Sequence, residues 1–91
     1  MRLEDALFNW LQIKIVAEAR TDDRAAEDTR LFFEEILRED HAVSSIETHA
    51  DRATVYIDYK VDGEQKQLRF DKEAAEQLLE DINSNPKYNN G

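Results

Sequence analysis

The chain has 91 residues, a net charge of −9 and no cysteine. This length suits one domain with a single core. Without cysteine, disulfides, thiolate metal sites and a cysteine nucleophile are excluded, and the cytoplasm is the expected compartment. Acidic residues precede the first apolar stretch and charges interrupt every long apolar run, so we expect neither a signal peptide nor a membrane span.

The negative charge is concentrated in two segments. Residues 22–40 contain eight acids against three arginines, and residues 71–82 contain five acids against one lysine. Such a field repels phosphate backbones and attracts basic surfaces. We therefore expect no nucleic acid partner.

Residues 3–19 fit two interpretations. Leu11, Ile13 and Ile15 alternate with polar residues as in a strand, but no glycine, proline or turn cluster separates them from the helical pattern before them. We predict one helix, which is apolar around most of its circumference. Either the sheet and the second helix cover this helix, or its outer side meets another chain.

Residues 22–40 form an amphipathic pattern. Its apolar arc consists of Ala25, Ala26, Thr29, Phe32, Phe33, Ile36 and Leu37, while Leu31 lies alone on the charged side. Thr21 is the predicted N-cap, with two aspartates in the first turn.

Residues 52–70 predict a β-hairpin. Alternating apolar residues lead to Asp62-Gly63, a two-residue turn that would pair Val61 with Glu64 and Ile57 with Leu68. Residues 42–49 are a weaker strand, and a tight turn at Ala50-Asp51 would set Ile46 against Val55. The expected sheet is a three-stranded antiparallel meander.

After the hairpin, Asp71 is expected to cap a last amphipathic helix. The predicted fold is α+β in the order α-α-β-β-β-α, with helices packed on one face of the sheet. Residues 1–83 would form the domain. Residues 84–91, polar and rich in turn formers, would form a disordered tail.

No pattern in the chain indicates catalysis, a cofactor or a metal. His41 and His49 lack the spacing of zinc ligands, and His41 suits the C-terminal end of a helix. The polar sheet face would pair Tyr56 with Arg69 and Asp58 with Gln67, an open surface without a water-excluding pocket. With only two glycines, a phosphate-binding loop is excluded. We expect a protein that is not an enzyme.

Two short patterns resemble features of known binding proteins, but we predict neither partner from them. The helix, three-strand and helix order of residues 22–83 resembles the topology of double-stranded RNA-binding domains, and residues 71–75 (D-K-E-A-A) fall where that family begins its last helix. The family has a lysine cluster there, whereas residues 71–82 of this chain are acidic. In the tail, Asn85-Pro86-Lys87-Tyr88 matches N-P-x-Y, a peptide that phosphotyrosine-binding-type domains accept.

The leading functional hypothesis is a small protein-binding or regulatory module that forms a homodimer through its first helix. The interface would contain Leu7, Phe8, Trp10, Leu11 and Ile15. The alternative is an acidic decoy or immunity-type inhibitor whose helical carboxylates bind a basic protein.

Overall fold

In a computed structural model, which describes residues 1–84, the chain forms three helices and one sheet. The elements are α1 (Leu3–Ala19), α2 (Arg24–His41), β1 (Val43–Ala50), β2 (Thr54–Val61), β3 (Glu64–Asp71) and α3 (Lys72–Ser84). This is the α+β order α-α-β-β-β-α expected from the sequence.

The sheet is an antiparallel meander in the order β1-β2-β3. Val61 pairs with Glu64, and Ile57 pairs with Leu68, as the hairpin pattern predicts. Asp62 and Gly63 both have positive φ, at 52° and 81°, which is the geometry of a tight hairpin turn. Turn chemistry and strand alternation thus specify the same register.

The pairing of β1 with β2 differs from the expectation. Ile46 lies opposite Tyr59 rather than Val55, and Ala50 takes the position opposite Val55. The predicted tight turn was wrong because β1 continues through Ala50 and a three-residue connection follows it. Ile46 still packs against the core, since a displacement by an even number of residues keeps a side chain on the same face.

The helices form a layer on one face of the sheet. Val55, Ile57 and Tyr59 are buried beneath this layer, whereas Lys60 and Gln67 on the other face are exposed. Helix α1 contacts both α2 and α3. Neighbouring elements therefore cover the apolar surface of α1 on several sides. This is the arrangement in which α1 is covered within its own chain.

The core has two parts along α1. The larger part joins the first half of α1 to the sheet and to Leu37. The smaller part, beyond the sheet, contains Val16, Ala17 and Ala26, against which the last turns of α3 pack. Residues 11–16 are helical, because a strand there would lose the contacts that α1 makes with both other helices.

The helix ends follow local chemistry. The Asp23 carboxylate, rather than Thr21, caps α2 by accepting a hydrogen bond of 3.0 Å from the backbone N–H of Ala26. Asp71 caps α3 as predicted, accepting from the N–H of Ala74 at 3.1 Å. Helix α2 ends at His41, and its C-cap residue, Ala42, has a left-handed φ of 57°.

Helix α3 is longer than the sequence suggested. It includes Asn83 and Ser84, which extends the helix into the first residue of the predicted tail. The Asn83 side chain accepts a hydrogen bond of 3.2 Å from Arg20, so a contact between distant segments holds this last turn. The remainder of the predicted tail, with the N-P-x-Y sequence, lies outside the described residues. Within residues 1–84, no helix combines the length and the apolarity needed to span a membrane.

Candidate functional site

The structure places most of the predicted dimer interface inside the chain. Leu7, Trp10 and Leu11 are 0%, 3% and 1% exposed. They belong to the main core with the inner face of the sheet. In this conformation they therefore offer no surface to a second copy. Self-association through these residues stays a prediction, and within the single chain the three side chains pack in the core.

The other two residues of the predicted interface are half-buried. The Phe8 ring lies 5.1 Å from the Phe70 ring, centroid to centroid, and the two planes are tilted by 44°. Ile15 packs against the edge of the main core. Both side chains already have partners within the chain, so the over-apolar appearance of α1 reflects its central position.

The exposed apolar surface is instead on α2. Within the described residues, the large apolar side chains that remain exposed are Met1, Leu31 and Phe32. Leu31 was expected there, at 49% exposed. Phe32 was expected in the core and is 58% exposed. It lies at the rim of the apolar arc, on the side away from the buried Ala26 and Leu37.

Phe32 has a defined neighbour and an acidic environment. Its ring meets the Phe33 ring edge-on, with centroids 5.5 Å apart. Phe32, Ile36 and three carboxylates line a shallow depression of about 250 Å³, the carboxylates being those of Glu35, Glu39 and Asp40. We call this set of residues the α2 acidic patch. The sequence already indicated that acids surround Phe32, because Glu35 and Glu39 follow it by three and seven positions and lie on the same helix face.

Other acids of α2 are used for folding. Arg30 pairs with both Glu27 and Glu34, and Glu34 also accepts a hydrogen bond of 3.0 Å from the Trp10 indole N–H. The hydrogen bond from Arg30 lowers the pKa of Glu27, and the same contact raises the pKa of Arg30. These carboxylates are therefore neutralised within the chain, in contrast to the exposed carboxylates of the α2 acidic patch.

The outer sheet face has the pairs that the register predicts. Asp58 accepts a hydrogen bond of 2.8 Å from the Gln67 amide, and Tyr56 lies opposite Arg69. His49 Nδ1 lies 3.1 Å from the Asp58 carboxylate. Its ring stacks on Tyr56 at a centroid distance of 4.7 Å. Side chains on this face satisfy one another across neighbouring strands.

Asp51 organises the connection between β1 and β2. Its carboxylate accepts hydrogen bonds from the backbone N–H groups of Ala53 and Thr54, at 3.0 and 2.9 Å, and from the Tyr56 hydroxyl at 3.0 Å. The two backbone donors are the main reason that the pKa of Asp51 is lowered. The same carboxylate raises the pKa of Tyr56. This arrangement is a structural turn, in which each polar group has a partner.

The histidines do not converge on a common site. His41 ends α2 and its Nε2 atom is buried without a hydrogen-bond partner, while His49 lies on the outer sheet face. Among residues 1–84, no three or more histidine, aspartate or glutamate side chains are grouped so that they could hold a metal ion.

Over residues 1–84, the fold and its surface define an α+β protein with a three-helix layer on a three-stranded meander and one exposed aromatic side chain among carboxylates. The sequence matches no protein-family model and no curated protein, and the structure matches no solved structure.

Proposed function

We propose that this chain is a non-catalytic protein-binding module that binds a basic protein through the α2 acidic patch. The single observation that carries the proposal is Phe32, a large aromatic side chain that is 58% exposed although a core position was expected for it. Aromatic side chains that remain exposed on small domains are frequent anchors of protein interfaces.

The charge around Phe32 specifies the chemistry of the partner. Glu35 and Asp40 have no ion-pair partner in the described part of the chain, and Glu39 has only a loose contact of 3.8 Å with the exposed Arg38. A partner with lysine or arginine beside an apolar contact would neutralise these carboxylates and cover the Phe32 ring. This favours the inhibitor or decoy alternative over self-association, because two copies joined at this patch would bring like charges together.

Two further considerations support binding as the role. The ionisable groups of the outer sheet face lie open to water, a setting that suits binding better than acid–base catalysis. The acidic field of α2 and α3 disfavours nucleic acid as the partner, and duplex RNA is a suitable negative control. The cytoplasm remains the proposed compartment, since the chain has no cysteine to oxidise.

Site-specific photocrosslinking in cells of the source organism tests this function. A photoreactive phenylalanine replaces Phe32 in one variant and, as the matched control, Gln65 on the exposed part of β3 in another. We expect an adduct with a basic protein from position 32 only, and we expect that adding Glu35→Lys and Glu39→Lys abolishes it. Equal adducts from both positions, or adducts that survive the charge reversal, would contradict the proposal.

A further inference from the structure

A continuous stripe extends along α2 from the α2 acidic patch toward the beginning of the helix. It consists of Ala25, Thr29, Phe32 and Ile36, spaced three or four residues apart and therefore on one face of the helix. With a rise of about 1.5 Å per residue, the stripe is about 16 Å long. The last two residues line the acidic depression.

The first two residues of the stripe line a second depression, of about 210 Å³. Its apolar lining draws on all three helices, with Ile13 and Val16 from α1, Ala26 from α2 and Ile82 from α3. The ion pair between Arg20 and Asp23 also lines it. Two shallow depressions, each centred on the same helix face, therefore follow one another along α2. We call the stripe and the depressions at its two ends the groove; one end is lined by apolar side chains and the Arg20–Asp23 ion pair, and the other end is acidic.

The polar side chain within the stripe, that of Thr29, already has a partner in the chain. The Thr29 hydroxyl donates a hydrogen bond of 2.8 Å to the Ala25 carbonyl, one turn earlier. Since α2 is a continuous helix, the backbone beneath the stripe has its own hydrogen-bond partners. A peptide that binds as an added strand needs open backbone groups, which a helix face does not offer.

From this geometry we infer that the groove binds a basic amphipathic helix of the partner protein, an inference that rests on the proposed function. A length of about 16 Å corresponds to about three turns of helix, with apolar side chains at positions i, i+4, i+7 and i+11. Lysine or arginine at one end of that helix lies against Glu35, Glu39 and Asp40. A second copy of this chain is not the occupant, because its helices with exposed faces are acidic.

Two synthetic peptides of identical leucine and lysine composition test the inference. In one, leucines occupy i, i+4, i+7 and i+11; in the other, leucine and lysine alternate as in a strand. Each is titrated into the whole chain labelled with ¹⁵N. We expect the helical pattern to bind at least tenfold more tightly and to shift amide signals of residues 25–40 and of Ile13.

Variants localise the binding. Phe32→Ala and the pair Glu35→Lys with Glu39→Lys should each weaken the helical peptide at least tenfold, while Leu31→Ala, outside the stripe, should leave its affinity unchanged. Equal binding of the two peptides, no binding of either, or shifts confined to other elements would overturn the helical mode. If position 32 still crosslinks to a basic protein in that case, the proposed function stands and only the helical mode of recognition fails.

Discussion

The Trp10 indole N–H donates a hydrogen bond of 3.0 Å to the Glu34 carboxylate, which joins the most buried part of α1 to α2. Trp10 is 3% exposed, and a buried N–H group of this kind needs a hydrogen-bond partner. The pair explains how a helix as apolar as α1 accommodates a polar atom in the core.

Removing the acceptor of Trp10 should destabilise the chain. We expect Glu34→Leu to lower the free energy of unfolding by about 1–3 kcal/mol, because a buried donor is left unpaired. Glu34→Gln keeps an acceptor and loses mainly the ion pair with Arg30, which is worth about 0–1 kcal/mol. Urea denaturation followed by Trp10 fluorescence gives both values. Equal losses would show that charge, rather than the hydrogen bond, matters at this position.

Substitutions on the inner face of β2 should destabilise the chain much more than substitutions on its outer face. Ile57 is 0% exposed, and Asp58 lies on the outer face. Ile57→Asp buries an unpaired charge and should cost at least about 3 kcal/mol, whereas Asp58→Ile should change stability by less than about 1 kcal/mol. Denaturant midpoints decide between these expectations. Similar losses in the two variants would mean that the strand is buried on both faces.

Truncating Phe8 and Phe32 to alanine compares the stability contribution of a half-buried ring with that of an exposed ring. Phe8→Ala removes the contact with Phe70 and should lower stability by about 1–3 kcal/mol. Phe32→Ala should cost less than about 1 kcal/mol, because most of that ring already faces water. Thermal and urea unfolding measure both. A larger loss for Phe32 than for Phe8 would contradict the assignment of Phe32 to a binding surface.

The backbone conformation at two turns predicts opposite effects of glycine and alanine. Ala42 has a φ of 57°, and a left-handed residue with a side chain costs about 1–2 kcal/mol. Ala42→Gly should therefore stabilise the chain by up to about 1 kcal/mol once the flexibility of glycine is included. Gly63→Ala, at a φ of 81°, should destabilise it by about 1 kcal/mol. Calorimetric melting temperatures that move in the same direction would refute the pair.

Acid unfolding should depend on Asp51. Because backbone donors lower the pKa of its carboxyl in the folded chain, this group stabilises the fold above its ordinary pKa, near 4. That contribution is lost as the pH falls from about 4 through the lowered folded value. Asp51→Asn keeps a hydrogen-bond acceptor but does not titrate, so its stability should decline less steeply below pH 4. Urea midpoints between pH 7 and 2.5 test this, and parallel profiles would exclude the effect.

Local patterns in the sequence determined much of the fold. The alternation around Ile57 and the Asp62-Gly63 turn specify the β2–β3 register, since the side-chain period of a strand and the geometry of a two-residue turn are both local properties. The cap at Asp71 follows from the same kind of chemistry. For β1 and β2 the sequence predicted the antiparallel pairing but not which residues pair. The reason is that a three-residue connection restricts the register less than a two-residue turn does.

Only the tertiary structure decided which apolar residues are covered. From the sequence, Trp10 and Phe32 each lie on an apolar helix face, and the sequence placed the first at an interface and the second in the core. In the structure Trp10 is 3% exposed and Phe32 is 58% exposed, because α1 is enclosed by α2, α3 and the sheet, whereas the main contacts of α2 are with α1 and β1. Periodicity reports the direction in which a side chain points from its helix axis, but burial depends on how many neighbours surround that axis.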